Sequence, residues 1–264
     1  MTAVATIRTT RPGLRLDGVS VRFGGIQAVQ SLSLSARAGV ITGLIGPNGA
    51  GKTTTFNACT GLVNPAEGSV YLGQRRLDGS SPSKRAKIGL GRTFQRMELW
   101  DTLTVRENVA LGREALLSGR RAWGQLYGSR RERLAVLDAA DAALEQCGIG
   151  HLADRAAADV STGQARLVEL ARAVATGFEF LLLDEPSSGL DITETEQFGR
   201  ILVDLAEGDG IGILLVEHDM ALVRRVCRYL YVLDFGRLLV EGPADEVLAS
   251  DVVRAAYLGS EEVG

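Results

Sequence analysis

From residue 14 to 35 the chain (LRLDGVSVRFGGIQAVQSLSLS) alternates apolar and polar positions over short stretches, broken at Gly24-Gly25. A period of two fits strands with one buried face, so this region predicts antiparallel strands. Residues 40–46 (VITGLIG) form a compact apolar run, which predicts a buried strand. Glycine-rich residues 46–51 follow, and 52–60 predicts a helix; strand, glycine loop and helix in that order open an α/β unit. Between 104 and about 148 the β-branched residues thin out. Leu134, Leu137, Ala140 and Leu144 recur there at helical spacing, which predicts a helical subdomain. Another helix is expected over 165–175. The strand–helix rhythm then returns, with strands at 180–184, 211–217 and 229–234 and helices at 194–205 and 220–227. Phe235-Gly236-Arg237 is expected to pair 229–234 with 238–241, and 243–258 to close the fold as two short helices.

Composition narrows the class. The chain has 264 residues, 45% hydrophobic and 23% charged, which fits a soluble globular protein with one α/β domain and an insertion. No run of about 18 apolar residues is present, so no membrane span is expected. The first residues carry Arg8, Arg11 and Arg15 and lack the apolar stretch of a secretory signal. Cys59, Cys147 and Cys227 are odd in number, far apart and without CxxC spacing, which suits a reducing cytosol better than disulfides or zinc. A net charge of −3 argues against nucleic acid as a partner. The stretch from 113 to 133 holds six arginines against Glu114 and Glu132. It reads either as a solvated helix face and loop or as a patch facing a membrane or a partner.

The strongest chemical signal is Gly46-Pro47-Asn48-Gly49-Ala50-Gly51-Lys52-Thr53, a full match to G-x4-G-K-[ST]. Glycines let backbone N–H groups turn inward around phosphates, and the following helix aims its positive end at them. Lys52 is placed to reach the β- and γ-phosphates, and the Thr53 hydroxyl to bind Mg²⁺. The apolar run Phe180-Leu-Leu-Leu ends in Asp184 and Glu185. Such acids often just end a strand; downstream of a phosphate loop, Asp184 becomes a Mg²⁺ partner and Glu185 a base for the attacking water. The sequence has neither the N-K-x-D guanine-reading motif nor an H-R-D loop with D-F-G, which disfavours a Ras-like GTPase and excludes a protein kinase. His218, after the strand at 211–217, is either structural or close enough to a nucleotide site to touch the γ-phosphate or order water. Ser161 is either an ordinary helix cap or presents its helix N-terminus to a second phosphate. Because the glycine loop already has its own helix, the second alternative implies a dimer.

Together these motifs resemble the ATP-binding cassette (ABC) ATPases over nearly the whole chain. In that resemblance GPNGAGKT at 46–53 is Walker A, VSTGQ at 160–164 the signature, FLLLDE at 180–185 Walker B, and Ser188-Gly-Leu-Asp191 the D-loop. Gln95 takes the Q-loop place, His218 that of the switch histidine, and Phe23 that of the aromatic on which adenine stacks. The signature departs from LSGGQ: Ser161, Gly163 and Gln164 remain, while Thr162 replaces a glycine and Val160 a leucine. The resemblance implies an α/β P-loop ABC ATPase with a parallel core sheet, an N-terminal antiparallel β subdomain and a helical subdomain. Residues 1–264 would form one ABC domain: 14–95 and 177–242 the nucleotide-binding core, 96–176 the helical subdomain, 243–264 the C-terminal helices. It implies ATP and Mg²⁺ as cofactors, with Thr53, Gln95 and Asp184 at the metal. Residues 46–52, Thr53, Thr54 and Phe23 would contact nucleotide, as would Ser161, Gly163, Gln164 and Asp191 across a dimer. Glu185, His218 and Gln95 would serve hydrolysis.

The partners implied are a second cassette, identical or different, two transmembrane permease subunits and, indirectly, an extracytoplasmic solute-binding protein. The place implied is the cytoplasmic face of the cell membrane. Arg22-Phe-Gly-Gly25, Gly91-Arg-Thr-Phe-Gln95, Glu217-His-Asp-Met220 and Ala256-Tyr-Leu-Gly259 resemble the ATP-binding subunits of branched-chain amino-acid importers. Urea or amide importers, lipopolysaccharide exporters and soluble non-transport ABC ATPases are the alternatives. A pure binding module fits less well, since Glu185 and His218 are both present.

Overall fold

The computed structural model describes residues 11–93, 99–118 and 130–258. Its first sheet is antiparallel. Strands β1 (Leu14–Phe23) and β2 (Ile26–Ala36) pair through a hairpin at Gly24. Two strands that the apolar pattern does not announce, β4 (Glu67–Leu72) and β5 (Arg75–Arg76), complete the order β2-β1-β4-β5. Register shifts between Leu16 and Val21 break the simple alternation of β1, so that Val19, Ser20 and Val21 are all buried.

The second sheet has the order β10-β9-β3-β8-β7-β6. Its members are β3 (Ile41–Ile45), β6 (Leu90–Arg92), β7 (Phe180–Asp184), β8 (Gly212–Val216), β9 (Tyr229–Asp234) and β10 (Arg237–Pro243). All pairs are parallel except β9 with β10. The central strands are apolar at nearly every position because both faces are covered. Successive residues therefore enter different cores. Leu181, Leu183, Ile213, Leu215, Leu230 and Val232 join a cluster under the helical layer. Their neighbours Phe180, Leu182, Leu214, Val216, Tyr231 and Leu233 join a cluster with the antiparallel sheet and Phe56.

Helix α1 (Lys52–Thr60) spans the residues that the sequence predicts. It ends at Gly61 in a left-handed conformation, with the fully buried Arg85 of α2 (Pro82–Lys87) donating to the carbonyls of Ala58 and Cys59, each at 2.7 Å. A guanidinium on those last carbonyls suits the negative end of the helix dipole. Helices α3 (Val105–Ser118), α4 (Arg130–Gln146) and α5 (Thr162–Thr176) pack on one another as the helical layer.

The helix expected at 194–205 begins earlier, as α6 (Ile192–Val203), because Asp191 caps it; a π turn over Asp204–Gly208 follows. Helix α7 (Met220–Val226) precedes β9, and α8 (Ala244–Ala249) and α9 (Asp251–Leu258) close the fold. Among the described residues, no helix is long and apolar enough to cross a membrane.

Candidate functional site: the carboxyl ends of three neighbouring strands

Strands β3, β8 and β7 are consecutive in the sheet, so the residues that follow them converge at one edge, where open α/β sheets bind ligands. After β3 the chain turns on Gly46, Gly49 and Gly51, with φ of 148°, 81° and 99°. Only glycine adopts those values freely. Contact forbids a side chain at two of the three as well: a Cβ at Gly46 would overlap the Leu233 carbonyl, and one at Gly51 would lie 2.6 Å from the Ala28 carbonyl. The turn is braced from the β9–β10 hairpin, where the Gly236 amide donates to the Ala50 carbonyl at 3.1 Å.

Gly51 is the N-cap of α1 and supplies no side-chain cap, and no acid occupies the first turn. The helix thus meets the loop with its positive end bare of side-chain acceptors. Lys52 folds back over this loop, and its Nζ donates to the carbonyls of Gly46 (2.6 Å) and Pro47 (2.9 Å). Burial lowers its pKa, and the nearby charges of Glu185 and Asp184 oppose that shift. Asn48, Gly49 and Thr53 are exposed, and Pro47 and Thr54 are half-buried.

At the end of β7, Asp184 is 2% exposed. Its Oδ2 accepts from Arg92 Nη2 at 2.8 Å, while Oδ1 is buried and makes no hydrogen bond. Burial raises the Asp184 pKa, and the Arg92 guanidinium works against it. The next residue, Glu185, has a left-handed φ of 49°, unusual outside glycine, and its amide donates to the Val216 carbonyl of β8 at 2.9 Å. This bend brings Glu185 Oε1 within 2.7 Å of His218 Nε2.

His218 is itself set by its neighbours. Glu217, 3% exposed, accepts from the His218 amide at 3.1 Å and from the Ser187 amide at 2.9 Å, tying the loop after β7 to the loop after β8. Asp219 then caps α7 through the amides of Ala221 and Leu222.

Two further helix starts carry sequence-predicted residues. Ser161 Oγ accepts from the Gln164 amide (3.2 Å) and Gln164 Oε1 from the Ser161 amide (3.0 Å), a closed capping box on α5. Asp191 and Glu194 form the same device on α6. The two starts touch, since a Cβ at Gly163 would overlap the Glu194 carboxylate. Among the described residues, no hydrogen bond links Ser161, Gly163 or Gln164 to Lys52, Asp184, Glu185 or His218. Phe23 ends β1 half-exposed, in the strand that pairs with the one carrying Ala28. Gln95 lies outside the described residues.

The donor set suits Mg²⁺ held jointly with a nucleotide. Among the described residues no three His, Cys, Asp or Glu side chains form a metal cage. What the site offers is the Thr53 hydroxyl and the unpartnered, buried Asp184 oxygen. Mg²⁺ takes few protein oxygens when phosphates and water complete its octahedron. Residue patterns alone do not reveal Arg92, Asn57, Glu217 or Glu194. The available signals were faint: a carboxylate closing the all-apolar strand before His218, and an acid three residues after Asp191.

Known proteins resemble this chain along most of its length. Residues 29–188 match the family described as ABC transporter. The high-affinity branched-chain amino acid transport ATP-binding protein LivG of Salmonella typhimurium is 38% identical over 95% of this chain and 99% of its own. The lipopolysaccharide export system ATP-binding protein LptB of Haemophilus influenzae is 32% identical over 94% of this chain and 98% of its own. A solved ATP-binding cassette of an ABC transporter in its ADP conformation superposes with a TM-score of 0.83 at 31% identity, covering 95% of this chain and all of that one. A dimeric bacterial ABC transporter cassette superposes at 0.72 with 28% identity, over 88% of this chain and 98% of that one. With the match over residues 29–188 and the likeness to LivG along nearly the whole chain, this chain belongs to the ABC transporter family.

Proposed function

We propose that the chain hydrolyses Mg²⁺-bound ATP as one cassette of a dimer and thereby drives a membrane transporter that imports branched-chain amino acids or related small polar solutes. The observation that carries the chemistry is the 2.7 Å contact between Glu185 and His218 at the same edge as Lys52. Residues 46–54 cradle the phosphates, with Lys52 exchanging its two loop carbonyls for phosphate oxygens. Glu185 Oε1 receives the proton of the attacking water, and its left-handed backbone turns that oxygen toward the site. His218 Nε2 holds Glu185 in place before nucleotide arrives and turns from it toward the γ-phosphate once ATP is bound. Thr53 and Asp184, with Gln95, hold Mg²⁺, which when bound neutralises charge on the β- and γ-phosphates. Phe23 stacks on the adenine. Ser161, Gly163, Gln164 and Asp191 act on the nucleotide of the facing cassette.

Likeness to LivG along nearly the whole chain supports the import reading. Transport requires two permease subunits in the membrane, a solute-binding protein outside it and this chain on the cytoplasmic face. The likeness to LptB makes lipopolysaccharide export the second reading.

Two measurements test the proposal. Glu185→Gln is expected to keep ATP affinity and lower turnover at least 100-fold, the scale of a lost general base; near-normal turnover would remove Glu185 from that role. Copurification from native membranes in mild detergent is expected to yield two multi-helix membrane proteins and a second cassette. Recovery with lipopolysaccharide-export components would select the second reading, and recovery without any integral-membrane partner would end the transport assignment.

A further inference from the structure

Arg92 is the last residue of β6, at the edge of the core sheet, in register with Leu182 of β7. A single arginine in that place reaches two elements. Its Nη1 donates to Asn57 Oδ1 at 2.6 Å, and its Nη2 to Asp184 Oδ2 at 2.8 Å. Asn57 lies on α1 four residues beyond Thr53, one turn along the same helix. A guanidinium is a rigid planar fork, so its two nitrogens fix the separation of whatever they hold. The fork is supported by the buried Phe56 ring, whose centre lies 5.5 Å from the guanidinium carbon. The Arg92 and Asp184 side chains are 7% and 2% exposed, which shields the tether from salt and water. The backbone is pinned too, by the Thr93 amide donating to the Leu182 carbonyl at 3.0 Å.

We propose that Arg92 is a positioning residue that sets the gauge of the Mg²⁺ site, holding the Thr53 end of α1 and the Asp184 end of β7 at a fixed spacing and leaving Asp184 Oδ1 as the free oxygen. The proposal rests on the roles given above to Thr53 and Asp184. Three features separate it from an ordinary buried ion pair. The pair is bridged onward to the helix that bears Thr53; only one carboxylate oxygen is engaged; and the other is buried with no hydrogen bond.

The test is a Mn²⁺ titration of the full chain with a non-hydrolysable ATP analogue, read by electron paramagnetic resonance. It is paired with the affinity for a fluorescent ATP analogue in EDTA. Arg92→Gln is expected to weaken Mn²⁺ binding about tenfold or more, as loss of an outer-shell partner does, while metal-free nucleotide affinity stays within about twofold. Arg92→Lys recovers part of the loss, since one ammonium lacks the fork. Asn57→Ala keeps the buried ion pair and the Phe56 contact but removes the hydrogen bond to α1, and is expected to shift Mn²⁺ affinity in the same direction by less.

Wild-type Mn²⁺ affinity in both Arg92→Gln and Asn57→Ala would reduce Arg92 to a purely structural residue. If Arg92→Gln does not fold, Asn57→Ala decides alone, and unchanged Mn²⁺ affinity in it overturns the proposal. Asp184→Asn distinguishes the two levels: wild-type Mn²⁺ affinity there defeats the reading of Asp184 itself. A shift there without one in the Arg92 and Asn57 variants defeats only the gauge.

Discussion

The helix that follows the glycine loop and the helix that follows Ser161 begin in opposite ways. At α1 the cap is Gly51, which offers no side chain, and the first turn contains no acid. At α5 the first amides are already served, Gln164's by Ser161 and Ser161's by Gln164. A helix N-terminus left without side-chain acceptors invites an anion, whereas a closed capping box stabilises its own helix whether or not an anion arrives. On the proposed function the two starts do different thermodynamic work: the first would bind phosphate within one chain, and the second would add its dipole and its Ser161 hydroxyl only when a facing cassette brings a phosphate to it.

Substitutions can break or sharpen that contrast. The largest effect is expected at Lys52, where Lys52→Ala removes a charged donor and should weaken ATP binding by about 100-fold, read by fluorescence titration. Next comes Ser161→Arg, expected to leave nucleotide binding by the single chain within about twofold while abolishing ATP-dependent pairing in sedimentation. If Ser161→Arg weakened single-chain binding as strongly as Lys52→Ala, the two helix starts would share one ligand and the contrast would collapse. Smallest is Asp191→Ala, which opens the box on α6. It should cost about 1 kcal/mol, seen as a fall of about 2 °C in thermal midpoint.

What could be read from the sequence divides along the same physical line. The glycine loop, Lys52 and α1 were legible because the phosphate binding proposed for them constrains consecutive residues. Strands β7 and β9 were legible because double burial makes them apolar at almost every position. Residues 61–93 gave no such signal. Strand β4 reads EGSVYL with half its surface polar, and β6 is only three residues long. The helix at α6 was displaced because its true start is fixed by Asp191 capping rather than by apolar spacing. Pairings between distant residues were the least accessible. Arg92 with Asp184 is separated by 92 positions and Glu185 with His218 by 33, and nothing local encodes either. The glycine of the signature is a further case: Gly163 is small because the Glu194 carboxylate occupies the space beside it, a fact that belongs to packing between two helix starts.

The two-sided sheet has a consequence for insertions and deletions. In β7 and β8 odd positions face one core and even positions the other, so each strand carries a parity. Deleting one residue before β7 and within its pairing register would exchange the two sets of side chains and move Asp184 and Glu185 one step back from the sheet edge. Phe180, the large ring among leucines, would then leave its core, and Leu181 would take its place there. A two-residue change keeps parity and spares the cores, although the acids still shift. Length variation among such chains should therefore gather in the connections and avoid the central strands, for the same reason that a frame tolerates some slips and not others.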